Sequence, residues 1–108
     1  MRLAETLTAF LARLRCAADT LDVIERQRIV REQLELVGLG PFAEHLPGEI
    51  SGGMKKRAGI ARAMMLEPDL LFFDEPSAGL DPVTAVELDQ LIITLSRDLG
   101  ITVVIVTH

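Results

Sequence analysis

The sequence predicts an α/β fold in which helices flank a small parallel sheet, and three observations carry that prediction. Residues 69–73 (DLLFF) and 101–106 (ITVVIV) hold continuous apolar runs of strand length, the pattern of strands buried on both faces. Between them lies a helical stretch that opens at Asp81-Pro82 and stops at Gly100. Strand, helix, strand is a βαβ unit, so the two strands are expected to be parallel with a right-handed crossover. Upstream, residues 2–18 and 23–37 place apolar side chains at helical spacing, so the first half of the chain is expected to be helical.

Each element has a local reason. In residues 2–18, Leu3, Leu7, Phe10, Leu11 and Leu14 form an apolar stripe. In residues 23–37 the stripe is Val23, Val30, Leu34 and Val37. Asp22 is a suitable N-cap there, with Glu25 three residues on as a capping-box variant, and Gly38 and Gly40 stop the helix. Residues 39–50 (LGPFAEHLPGEI) read as a connector punctuated by Pro and Gly. Ser51-Gly52-Gly53 opens a helix expected to run to about residue 66, and Pro68 blocks its continuation. Asp81 is the expected N-cap of the next helix, with Pro82 at its first position. Its apolar positions are Val86, Leu91, Ile92, Leu95 and Leu99.

Composition narrows the function classes. A chain of 108 residues makes one domain at most, with little core to spare. Its 49% hydrophobic content marks a globular chain. The net charge of -5 argues against a broad basic surface for nucleic acid. Lys55, Lys56 and Arg57 are instead clustered beside the Ser-Gly-Gly turn. Cys16 is the only cysteine, so no internal disulfide forms. No apolar run is long enough to span a bilayer, and the N-terminus lacks the pattern of a signal peptide.

Two places carry the chemistry. Asp74 and Glu75 stand where a buried parallel strand emerges, the edge at which such sheets bind ligands. Two adjacent acids are unfavourable there unless a cation or proton is shared, and a Mg²⁺ ion bound to phosphates relieves that. Side chains alternate along a strand, so the two acids are expected to divide the work. Asp74 orients the Mg²⁺ through water, and Glu75 polarises an attacking water at the terminal phosphate. A lone Asp-Glu pair is usually a solvated strand end; the large apolar residues before this one shift the balance towards a site. The second place is Ser51-Gly52-Gly53, where glycines allow close approach of an anion and a helix start aims N–H groups at it. Taken alone, that turn reads better as an ordinary helix cap. His108 follows a strand and Thr107 and is placed to reach a phosphate, although a lone terminal histidine is more often incidental. His45, Cys16, Met54, Met64 and Met65 read as packing or surface residues.

Taken together, these segments resemble the ATP-binding cassette (ABC) ATPases, which are P-loop NTPase-like proteins. ISGGM at 50–54 resembles the family's signature motif, and LLFFDE at 70–75 its Walker B strand with the catalytic glutamate. SAGLD at 77–81 resembles the D-loop, and the strand ending in Thr107-His108 resembles the switch-histidine strand. Order and spacing match across residues 47–108, and four motifs in order are far more specific than any one of them. Residues 1–50 resemble part of the helical subdomain, and residues 51–108 part of the ATPase core.

The resemblance implies a head-to-tail dimer with two ATP molecules sandwiched between subunits. Ser51, Gly52, Gly53 and Met54 then bind the nucleotide of the opposite subunit, and Asp81 couples the two sites. Asp74 serves the Mg²⁺, and Glu75 and His108 serve hydrolysis in their own subunit. It also implies a transmembrane permease as partner, no nucleic acid, and a cytoplasmic place on the inner face of the membrane through that permease. Met54 stands where the family usually has Gln. The SGGMKKR form resembles the Mla/Mce-type ATPases of lipid or solvent-resistance transporters. Ser77 replaces the more frequent Thr, and with no Tyr or Trp in the chain, neither type supplies an adenine-stacking ring. No G-x-x-x-x-G-K-[ST] loop occurs in these residues, so the Lys and Ser/Thr that hold phosphates and Mg²⁺ are missing. The chain is therefore expected to be the C-terminal-side piece of a longer domain, poor at hydrolysis by itself. Two other readings stand beside it: a non-transport ABC ATPase of the DNA-repair or translation-factor type, and a non-catalytic chain that docks on a partner cassette.

Overall fold

The computed structural model describes residues 2–14, 22–65 and 68–107. Four helices and two strands follow in the order α1 (Leu3–Leu14), α2 (Val23–Leu36), α3 (Gly52–Met64), β1 (Leu70–Asp74), α4 (Pro82–Leu99) and β2 (Thr102–Val106). Short 3-10 turns at Gly40–Phe42 and Pro47–Glu49 join α2 to α3. The strands pair in parallel, Leu70 opposite Thr102 and Asp74 opposite Val106. The α/β class and the parallel βαβ pairing expected from sequence are both present. Cys16 lies outside the described residues.

Helix ends follow the sequence closely. Asp22 caps α2 by accepting the Glu25 N–H at 2.8 Å. The helix closes with Gly38 at a φ of 77°, while the Gly38 and Leu39 N–H groups donate to Glu35 and Leu34 carbonyls. That pair of bonds is the Schellman arrangement, which needs a left-handed residue where Gly38 stands. Arg57 from α3 then donates to the last carbonyl, Val37 O, at 3.0 Å. Asp81 caps α4, Pro82 is its first residue, and Gly100 ends it in the left-handed region.

The 39–50 segment does more than connect. Its carbonyls at Ala43 and His45 accept the first N–H groups of α1, from Ala4 at 2.8 Å and Leu3 at 2.9 Å. Those are the donors that a helix start leaves without partners, so the segment caps a helix that lies some forty residues earlier in the chain. His45 packs edge-on to Phe42 with ring centroids 5.1 Å apart, the packing role expected of it.

The core runs continuously from α1 to β2. Leu7, Leu11, Val30 and Leu34 join α1 to α2, Ile60, Met64 and Met65 bring in α3, and Leu88, Ile92 and Leu95 come from α4. Leu71, Phe73 and Val103 turn one sheet face towards Ile60 and Ile92 around a void of only about 10 Å³. Two expectations need correction here. The strands are not buried on both faces: Phe72 is 68% exposed, and Leu70, Val104 and Val106 are also open. Helices cover only one face of this two-stranded sheet, so alternate side chains of β1 point to solvent. In α4 the buried stripe is Leu88, Ile92 and Leu95, while Val86 and Leu99 are exposed. Val86 lies on the opposite side of the helix from Leu88, and Leu99 is the terminal residue of the helix, beyond the packed stretch.

Candidate functional site

Asp74 is the last residue of β1 and lies on the sheet edge opposite Val106. Glu75 follows it outside the strand, with a φ of 46°, the one positive φ at a non-glycine among the described residues. A glutamate seldom adopts this region, and its cost has to be met by surrounding bonds. Two are evident: the Glu75 N–H donates to Val106 O at 2.8 Å, and its carbonyl accepts the Ala78 N–H at 3.0 Å. The backbone at Glu75 is therefore pinned to the end of β2 on one side and to its own turn on the other. The strand alternation expected to separate the two acids does not reach Glu75, which lies outside β1. Glu75 leaves the strand on a left-handed backbone, and that reorients its side chain. The same register brings the end of β2, where Thr107 follows Val106, to the edge that carries Asp74. His108 lies outside the described residues.

Ser51 adopts an extended backbone and its Oγ accepts the Met54 N–H at 3.1 Å. That bond uses an oxygen lone pair, so the hydroxyl proton stays available to donate. The next helical donor, Lys55 N–H, bonds Ser51 O, whereas Gly52 and Gly53 occupy first-turn positions that have no carbonyl four residues back within the helix. The turn thus offers a hydroxyl and two backbone donors at a helix N-terminus. Lys55 and Lys56 are exposed, whereas Arg57 is drawn back to α2. Met54 is half-buried against the core.

This turn lies beside the Asp81 loop. A Cβ placed on Gly52 meets Leu80 at 3.5 Å, and one placed on Gly53 meets Thr84 at 2.5 Å. Asp81 Oδ2 accepts the Thr84 N–H at 3.1 Å. Hydrogen bonds from the Thr84 side chain, then from its backbone, hold the Asp81 carboxyl below its ordinary value. Ser51, Gly53, Met54 and Thr84 also line a shallow groove of about 280 Å³. Sequence reading missed Leu80 and Thr84. The available signal was Thr84's place three residues after the Asp81 cap, where a cap's partner N–H belongs.

Comparison with known proteins bears on both places. The sequence matches the ABC transporter family over residues 2–78, a span that holds the Ser51 turn and both strand-end acids. The chain belongs to the ABC transporter family. It is 52% identical over 84 residues to a probable ribonucleotide transport ATP-binding protein, Mkl, of Mycobacterium leprae, covering 78% of this chain and 24% of that protein. It is also 52% identical over 79 residues to the intermembrane phospholipid transport ATP-binding protein MlaF of Escherichia coli, covering 73% of this chain and 29% of the relative. The fold superposes on a dimeric ATP-binding cassette in a post-hydrolysis state with ADP and Pi, at a TM-score of 0.78 and 33% identity. That match takes in 100% of this chain and 46% of the cassette. The chain spans about a quarter of the length of these two curated relatives. Asp81 and β2 lie beyond the family match and within the structural one.

Proposed function

We propose that this chain is part of the ATP-binding subunit of an ABC transporter, and that its two anion-facing places serve different nucleotides. The observation that carries the reading is the pair of acids at the β1 edge, with Glu75 held left-handed by the end of β2. Glu75 is the general base: its carboxylate accepts a hydrogen bond from the water that attacks the terminal phosphate and takes up its proton. Its pinned backbone keeps that carboxylate from following the strand direction. Asp74 takes the metal side.

Among the described residues no group of three or more His, Cys, Asp or Glu stands together to hold a metal. One or two carboxylates at a strand end suit Mg²⁺, which keeps several waters and completes its shell with phosphate oxygens. Such an ion supplies neutralisation of phosphate charge. Further donors belong to a glycine-rich loop that these residues do not contain.

Ser51, Gly52 and Gly53 donate to the terminal phosphate of a nucleotide on a second, head-to-tail subunit, and Met54 completes that nucleotide-binding turn. Asp81 reaches across the dimer, and His108 contacts the phosphate from the end of β2. Residues 1–50 belong to the helical subdomain and residues 51–108 to the ATPase core. Closure on ATP and reopening after hydrolysis drive a permease, which holds the subunit on the cytoplasmic face of the membrane. Among the described residues no helix is long and apolar enough to cross a membrane. For cargo we propose a lipid, on the strength of the Met-Lys-Lys-Arg ending of the turn. Identity by itself does not choose, since relatives named for ribonucleotide and for phospholipid transport match equally at 52%.

The deciding experiment exchanges the matching segment of the E. coli relative for this chain's residues and measures Mg²⁺-dependent ATP turnover. The reading expects a working ATPase. A folded exchange product that binds ATP and does not turn it over sinks it.

A further inference from the structure

Glycine stands at position 53 for a reason other than backbone freedom. Gly53 is buried and is the second residue of α3. Its φ is not positive, unlike those of Gly38, Gly79 and Gly100. What excludes a side chain is space: a Cβ there lies 2.5 Å from Thr84 Cγ2, closer than real contacts allow. Thr84 is the third residue of α4. While its methyl lies against Gly53, its N–H donates to the Asp81 carboxylate at 3.1 Å. A β-branched side chain is stiff at χ1, so the methyl is held relative to the backbone N–H that bonds Asp81. One residue therefore holds two turns that lie some thirty positions apart in sequence.

We propose that Thr84 is a positioning residue that locks the Ser51–Gly53 turn to the Asp81 loop, so that both meet a second subunit as one rigid surface. The functional sense of this rests on the reading above, in which both places face the dimer. Thr84 itself touches no nucleotide in this scheme. It acts through Gly53 by its methyl and through Asp81 by its N–H.

The test uses the 108-residue chain, isotope-labelled for amide spectra, with Gly53→Ala made alone and together with Thr84→Ser or Thr84→Val. Serine deletes the methyl and keeps the hydroxyl; valine does the reverse. Gly53→Ala is expected to shift the amide signals of residues 51–55 and 80–85 together. It should also lower the unfolding midpoint by roughly 5–15 °C, as overpacking does in a domain of this size. The Thr84→Ser double variant is expected to restore both sets of signals, and the Thr84→Val double variant to restore neither. If Gly53→Ala does not fold, recovery of a folded chain by serine alone supports the lock, and failure of both doubles overturns it. A shift confined to residues 51–55, or a serine double no better than Gly53→Ala, also overturns it. In the segment-exchanged ATPase the same variants are expected to lose and regain turnover in parallel. The spectra judge the lock and the parent exchange product's turnover judges the ATP reading, so the two fail on different signals.

Discussion

Glu75 holds its carboxylate on a backbone with a φ of 46°, fixed by a bond to Val106 O. In the proposed reading Glu75 is the base that meets the attacking water. Glu75→Gln keeps size and removes the proton acceptor. In the segment-exchanged ATPase it is expected to cut kcat by about 10²–10⁴-fold with ATP affinity near that of the parent; steady-state turnover beside a nucleotide-binding titration checks this. Asp81 makes a prediction in pH. Bonds from Thr84 depress its carboxyl below 3.8, so the cap's charge-dependent contribution is full above that value and is lost as pH falls through the lowered one. Asp81→Asn keeps an acceptor without the charge. The gap in thermal midpoint between parent and Asp81→Asn is therefore expected to be constant above about pH 5 and to shrink on further acidification. A gap that stays flat down to about pH 2 removes the charge from the explanation.

At the scale of elements, the helix ends separate two uses of glycine. Gly100 has a φ of 67° and open space around the position of a Cβ. Replacing it with alanine meets only the left-handed penalty of about 1–2 kcal/mol. Chemical denaturation is expected to show that loss with an unchanged m-value. Gly53 is the converse case, with an ordinary φ and no room. The Ser51 cap gives a third measure. Ser51→Ala removes the acceptor for the Met54 N–H, a change expected to cost about 1 kcal/mol in the same titration. The 39–50 segment shows how an element outside regular structure holds one inside it. By capping α1 with Ala43 O and His45 O it fixes where the first helix begins.

At the scale of the molecule, one sheet face is open among the described residues. Phe72 and Val104 are partners in register, and both are exposed. A paired apolar face beside a two-stranded sheet favours association. Phe72→Thr is expected to lower concentration-dependent self-association, read by light scattering, and to change stability by no more than about 0.5 kcal/mol because the ring is 68% exposed. No comparable effect is expected from the surface ion pairs. Arg2 with Glu5 and Glu44, and Arg31 with Glu44, all lie at 3.7–3.9 Å on side chains more than half exposed, where water and salt screen them.

Much of this was legible in the residues because the causes are local. Asp22, Ser51 and Asp81 as caps, Pro82 as a first helical residue and Gly38 and Gly100 as stops depend on a few neighbouring backbone groups. Those signals, with the apolar periods, determined the element order and the parallel pairing. The strand-end acids and the glycine turn were likewise visible as residue types in a pattern. What the tertiary structure decided was everything that joins distant positions. Only there does Glu75 leave the strand on a left-handed backbone, because Val106 O receives its N–H. Only there does Leu88 replace Val86 in the buried stripe, because the side of α4 that packs depends on where α3 and the sheet lie. The strands read as buried on both faces because apolar content reports a residue's preference, whereas burial depends on which neighbours are present to cover it. Gly53 shows the same limit most plainly: the glycine is written in the chain, but the reason for it is a methyl on Thr84, thirty-one residues further on.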